Sequence, residues 1–153
     1  MEVSKVYQAN AESVFEFLKA SFKNDYERNT KTLLRSGDLK PGLKFTKNFG
    51  TKNQHSVMVE VEKMTAPHHY RILLNSSRGT NVIEYLIEPH TADEIEVTYR
   101  EEYLDMGFFT KLNNKLLTPL FRKKLESRMM AQLDQLIHYS NKERTDYVRE
   151  NIS

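Results

Sequence analysis

The hydrophobic period of the chain changes three times. It opens at period two: Val3, Lys5 and Tyr7 alternate with Ser4, Val6 and Gln8, a pattern that predicts a strand. Period 3.6 follows. Asn10 is a good N-cap, and Glu12 sets a negative charge against the positive end of the helix dipole. Val14, Phe15, Leu18 and Phe22 then share one face, with Phe17 to its side, which predicts a helix over roughly 11–23. Asn24–Thr30 is polar and predicts a short second helix or a turn.

Period two returns in the middle of the chain. Gly37, Gly42, Gly50 and Gly79, with Pro41, Pro67 and Pro89, fall between apolar runs, where turns require them. The runs are Thr32–Arg35 (short and weak), Leu43–Phe49, Ser56–Met64, Tyr70–Asn75, Thr80–Glu88 and Glu94–Leu104. Short loops between strand-length runs predict an antiparallel meander. Leu43, Phe45 and Phe49 share a face, as do Val57, Val59 and Val61; Ile83, Tyr85 and Ile87; and Ile95, Val97 and Tyr99. The alternating partners include Glu60, Glu62, Glu84, Glu88, Glu94, Glu96 and Arg100, so one face is expected to meet water and the other a cover. Ile72, Leu73 and Leu74 are contiguous and leave their strand's register open.

The last segment supplies the cover. After Gly107, Phe109, Leu112, Leu116 and Leu120 step by three or four, and Phe121, Leu125, Met129, Leu133 and Leu136/Ile137 continue the stripe. This predicts a helix from about 108 to 140, bent or divided within a turn of Pro119, which lacks a backbone donor. The polar stretch from Glu143 to Ser153 is expected to fray as a tail behind a single domain of residues 1–142.

Composition narrows the chemistry. The chain has 153 residues and can bury roughly 70% of its unfolded surface, so it needs no staple to fold. It has no cysteine, which removes disulfides, thiol nucleophiles and cysteine metal sites and fits a cytoplasmic setting. The opening residues lack the apolar run of a signal peptide, and no stretch approaches the ~20 apolar residues of a membrane span. Net charge is +2, which gives no general case for a polyanionic partner.

The opening Val3–Phe15, with its Ala-containing turn and paired Val14-Phe15, the Pro41-Gly42-Leu43 turn, and the Gly107 before the long helix together resemble the helix-grip fold of the START and birch-pollen-allergen-like superfamily (SRPBCC). The similarity covers residues 1 to about 141 and is nearest to small bacterial members with no assigned function. It implies an α+β domain: a curved antiparallel sheet of six or seven strands around a long C-terminal helix, with a cavity between them. Superfamily members include lipid carriers, cyclases, hormone receptors and activators of a chaperone ATPase, so the fold does not select an activity. The implied lining is Phe45, Val59, Ile83, Tyr85, Val97 and Tyr99 from the sheet and Leu116, Leu120, Met129 and Leu133 from the helix. The alternative is that the same residues simply fill the core.

Few other constellations carry chemistry. His68-His69 cannot ligate one metal from a regular strand, because neighbours point to opposite faces, and it reads as a surface turn. Asp134 and His138, four apart, read as a solvent-face pair. Glu101 shares parity with Ile95, Val97, Tyr99 and Tyr103, so a regular strand turns a carboxylate inward beside phenols; a bulge or a place beyond the core edge would put it in water. Lys111, Lys115, Arg122, Lys123, Lys124 and Arg128 make the final helix basic, a face for an acidic protein or anionic headgroups or, more commonly, for solvent. No catalytic motif, metal set, nucleotide loop or nucleic-acid motif is present, so no catalytic residue and no cofactor are assigned.

The expected function is therefore a non-enzymatic binding module for a small apolar or amphipathic ligand, with Glu101, Tyr85 and Tyr99 setting its orientation. The alternatives are a cyclase- or hydrolase-like enzyme using an inward acid, and a partner-binding protein with a filled core.

Overall fold

The computed structural model describes residues 1–50, 52, 55–104 and 118–152, with side chains described as far as 146. Strand β1 (Glu2–Gln8) leads into helix α1 (Ala11–Thr30). Strands β2 (Lys44–Phe49), β3 (His55–Thr65), β4 (His69–Ser76), β5 (Gly79–Pro89) and β6 (Glu94–Leu104) follow, and helix α2 (Pro119–Ile152) closes the described chain. The strands form one curved antiparallel sheet of order β1-β6-β5-β4-β3-β2. The meander thus runs from β2 to β6, and β1 returns to pair with β6. Helix α2 packs on β1 and α1, while α1 reaches β2 and β5.

Helix α1 starts where expected, with Asn10 Oδ1 accepting from the Ser13 N–H at 3.0 Å. It does not stop near residue 23. Tyr26 packs edge-on against Phe45 at 5.3 Å, which gives the polar stretch a tertiary anchor. The helix ends at Lys31, in the left-handed conformation, whose N–H bonds the Glu27 carbonyl. The Thr32–Arg35 run forms no strand. The Leu34 N–H is satisfied by the Glu27 carboxylate at 2.8 Å instead of by a ladder partner.

The described part of the final helix begins at Pro119, and the Arg122 N–H bonds the Thr118 carbonyl. A first-turn proline loses no helical bond, because its donor would be unpaired there in any case. Gly107, Phe109, Lys111, Leu112, Lys115 and Leu116 lie outside the described residues. The polar end expected to fray is helical to Ile152. The buried stripe of α2 is Met129, Leu133, Leu136, Ile137 and Ser140, and each fully buried aliphatic contributes roughly 1.5–3 kcal/mol. Leu120 departs from the expected stripe and is 83% exposed. It precedes Met129 by nine residues, which at about 100° per residue puts it on the opposite side of the helix.

Register orders the inner face of the sheet. Tyr70 lies opposite Tyr85, and Tyr85 opposite Tyr99. The Tyr85 and Tyr99 rings stack at 4.7 Å, and Tyr70 meets Tyr85 edge-on at 5.9 Å. The β5–β6 ladder has no bulge, so Glu101 keeps its inward parity opposite Ile83.

The outer face holds an exception to the expected wet side. Glu84 is buried, held by Arg100 Nη1 at 3.0 Å, Arg71 Nη1 at 3.1 Å and His69 Nε2 at 2.6 Å. Desolvation alone would raise its pKa, but the bonds and charges of His69 and Arg71 outweigh it and leave the carboxyl below its usual range. A depressed folded pKa means stability that is present above the unfolded glutamate pKa of about 4.3 and lost as pH falls through the folded value. Glu84→Gln is expected to cost about 2 kcal/mol at neutral pH, the scale of charged hydrogen bonds. In urea titrations between neutral and acid pH, the gap between variant and wild type should narrow as pH falls; a constant gap would show that ionisation is not involved.

Candidate functional site

A cavity of about 620 Å³ opens between the inner face of β2–β5, one face of α1, and Gln132 of α2. That volume lies within the ~300–1,000 Å³ of small-molecule sites. Its apolar wall comes from Leu18 and Phe22 of α1 and from Val57, Val59, Ile72, Leu74 and Ile83 of the sheet. Tyr70 and Tyr85 form an aromatic part of the wall, with Phe49 alongside. Asp25, Arg28 and Lys47 bring charge, and Ser21 and Gln132 bring neutral polar groups.

Of the residues expected to line a pocket, Val59, Ile83 and Tyr85 are in this wall. Phe45 is buried against Phe22 and Tyr26, at 5.5 and 5.3 Å between ring centres. Val97, Tyr99, Met129 and Leu133 are wholly buried and belong to the core. Leu120 faces outward and Leu116 lies outside the described residues. Sequence reasoning missed the contribution of α1. The signal was present: Leu18, Ser21, Phe22, Asp25 and Arg28 follow helical spacing on one face, but a helix ending near residue 23 hides its second half.

Glu101 sits two register pairs beyond Tyr99 on the same face, buried opposite Ile83 of the cavity wall. Its carboxylate accepts hydrogen bonds from the Tyr99 hydroxyl and from Arg128 Nη2, the latter at 2.7 Å. Arg128 therefore leaves the basic run of the helix to pair inward. Burial works against its charge, but Glu101 holds its pKa above the ordinary value. Tyr99 also approaches Gln132 Oε1 at 3.4 Å, which links this cluster to the wall.

The three tyrosines are neutral hydrogen-bonding groups at physiological pH. Burial is the main cause that raises each pKa well above the ordinary phenol value. Tyr85 and Asp25 add to the effect at Tyr70, Glu101 adds to it at Tyr85, and the bond to Glu101 adds to it at Tyr99. On the rim, Asp25 accepts from Lys47 Nζ at 2.9 Å and from Asn29 Nδ2 at 3.2 Å.

The histidine and acid pairs do not converge. His68 Nδ1 lies 3.3 Å from the Ile87 carbonyl oxygen, while His69 meets Glu84. Asp134 bonds Tyr7 at 2.7 Å and Lys5 at 3.1 Å, not His138, whose ring meets Tyr139. Among the described residues, Glu88, His90 and Glu96 alone group closely enough to hold a metal, and exposed acidic groups commonly cluster without one. No helix among the described residues is long and apolar enough to cross a membrane.

Comparison with known proteins places this geometry. Residues 1–122 match the family model of a domain of unknown function, DUF3284. No curated protein matches the sequence. Among solved structures, norcoclaurine synthase from Thalictrum flavum, in complex with dopamine and hydroxybenzaldehyde, aligns with a TM-score of 0.59 at 14% identity, over 93% of this chain and 86% of that one. Ara h 8.0201 aligns with a TM-score of 0.55 at 8% identity, over 93% of this chain and 97% of that one. A protein of unknown function from Staphylococcus aureus aligns with a TM-score of 0.51 at 16% identity, over 95% and 94%. At these identities the likeness establishes the fold, the helix-grip arrangement of the SRPBCC proteins.

Proposed function

We propose, for a chain that belongs to the DUF3284 family, that this domain is a non-enzymatic binding module holding a small apolar or amphipathic molecule between its sheet and helices. The observation that carries this reading is the cavity itself, about 620 Å³ bounded by mainly apolar walls and a few polar groups. The cavity is open to solvent, and a ligand seated in it would take its apolar wall out of water. The complex of norcoclaurine synthase with two small aromatic molecules supports a ligand-holding role for the fold. The cysteine-free composition supports a cytoplasmic setting.

The enzyme alternative rests on Glu101 as an inward acid. Its engagement by Arg128 and Tyr99 offsets the cost of burying it and favours a structural part for that carboxylate. The binding reading is tested by a thermal-unfolding screen of fatty acids and small aromatic acids, with native mass spectrometry of freshly purified protein to seek a retained compound. A ligand at 100 times its dissociation constant should stabilise the fold by about 2.7 kcal/mol. A screen in which nothing shifts the melt, from protein that carries no retained mass, would reject the binding module.

A further inference from the structure

Tyr70 and Tyr85 are only 8% and 7% exposed, yet neither hydroxyl bonds to any described residue. Among the described residues, the side-chain atoms sealed away without a partner are Asn81 Oδ1 and Ser140 Oγ, so the two phenol oxygens are not sealed. Both tyrosines line the cavity. Buried tyrosine hydroxyls normally have a hydrogen-bond partner. Two without one, adjacent in register across one wall, point to a partner supplied by the bound molecule.

Charge gives the second constraint. Three charged side chains line the cavity, and Asp25 and Lys47 neutralise each other at 2.9 Å. Arg28, exposed on the rim, has no partner among the described residues, which leaves one uncompensated positive charge. A guanidinium fits a carboxylate through two parallel bonds. The ring faces and edges of Phe22, Phe49, Tyr70 and Tyr85 suit an aromatic body between the two anchors.

We propose that the cavity takes an aromatic carboxylic acid bearing a ring hydroxyl, with the ring oxygen at the Tyr70 and Tyr85 phenols and the carboxylate at Arg28. This rests on the binding-module reading above and names its ligand class. The elevated phenol pKa values agree with it, since neutral phenols can donate to that oxygen.

Calorimetric titration of the full chain with four matched probes tests the inference: 6-hydroxy-2-naphthoate, 2-naphthoate, the corresponding hydroxy alcohol, and the corresponding hydroxy amine. The hydroxy acid should bind about tenfold tighter than the alcohol, the scale of a charged hydrogen bond, and the amine should bind weakest. R28Q, at an exposed site, should keep the wild-type melting temperature and reduce the acid-over-alcohol preference to about twofold or less. The hydroxy acid should also exceed 2-naphthoate by about fivefold. That advantage should vanish in Y70F/Y85F, which removes two hydroxyls that hold nothing in the fold. Equal binding of acid and alcohol, tighter binding of the amine, or a hydroxyl advantage that survives Y70F/Y85F would overturn the ligand class while leaving the binding module standing. Failure of all four probes to bind, with no shift from any compound in the thermal screen, would remove both.

Discussion

Arg128→Leu is expected to destabilise the protein by about 3 kcal/mol at neutral pH, the low end for breaking a buried ion pair. The low end applies because Glu101 is buried while the Arg128 side chain is half exposed, so water can reach part of the vacated site. Without Arg128, the Glu101 carboxylate keeps the Tyr99 bond but sits uncompensated on an apolar face beside Ile83. A buried charge that has lost its partner penalises the ionised form of its group. A carboxyl with a raised folded pKa costs no stability below the unfolded pKa, and its penalty grows as pH rises toward the folded value. The deficit of the variant should therefore shrink as pH falls from neutral toward the unfolded glutamate value of about 4.3. Adding Glu101→Gln to Arg128→Leu should recover a large part of the loss, because no charge remains to strand. Urea denaturation of the two single variants and the double variant across pH checks this as a double-mutant cycle. Additive losses with no pH dependence would show that the pair does not act as a unit. Glu101→Gln alone should lower stability and leave ligand affinity unchanged.

Ile83→Trp should abolish ligand-induced stabilisation while the fold survives. Ile83 is half-buried in the cavity wall, so an indole at this site has open volume to enter. A ligand present at 100 times its dissociation constant gives the wild type about 2.7 kcal/mol, and the filled variant should gain almost nothing. Val97 and Leu133 are unsuitable for the same purpose. Both are wholly buried in the packed core, where a tryptophan would force strain of about 1–3 kcal/mol or more before reaching the cavity. Circular dichroism and melting temperature separate filling from unfolding. Undiminished ligand stabilisation in a folded Ile83→Trp variant would place the binding site elsewhere.

Period and punctuation made the fold legible. Glycine and proline between alternating runs marked the strands, and the unbroken parity from Ile95 to Glu101 was sufficient to turn that carboxylate inward. The site was less legible, because parity tells which face a side chain joins and not whether that face is packed or hollow. Val97, Tyr99, Met129 and Leu133 share the faces of true wall residues and still end in solid core. The polar half of α1 reads from sequence as a short second helix or a turn, since its continuation of α1 is secured by the distant Phe45 contact and by the C-cap at Lys31. That loss hid Asp25 and Arg28. Ile72, Leu73 and Leu74 gave no register, so the place of Tyr70 beside Tyr85 emerged only from strand pairing. Glu84 was expected in water from its parity, but cross-strand arginines and a histidine cover it.

The most direct test of the central claim is a methyl-labelled NMR titration with 6-hydroxy-2-naphthoate. The binding account predicts saturable shifts at the Val57, Val59, Ile72 and Ile83 methyls that line the cavity, with Val6 on the exposed outside unaffected. The absence of saturable shifts at those wall methyls, or shifts confined to surface residues, would contradict the ligand class and, together with a thermal screen in which no compound shifts the melt, the binding account itself.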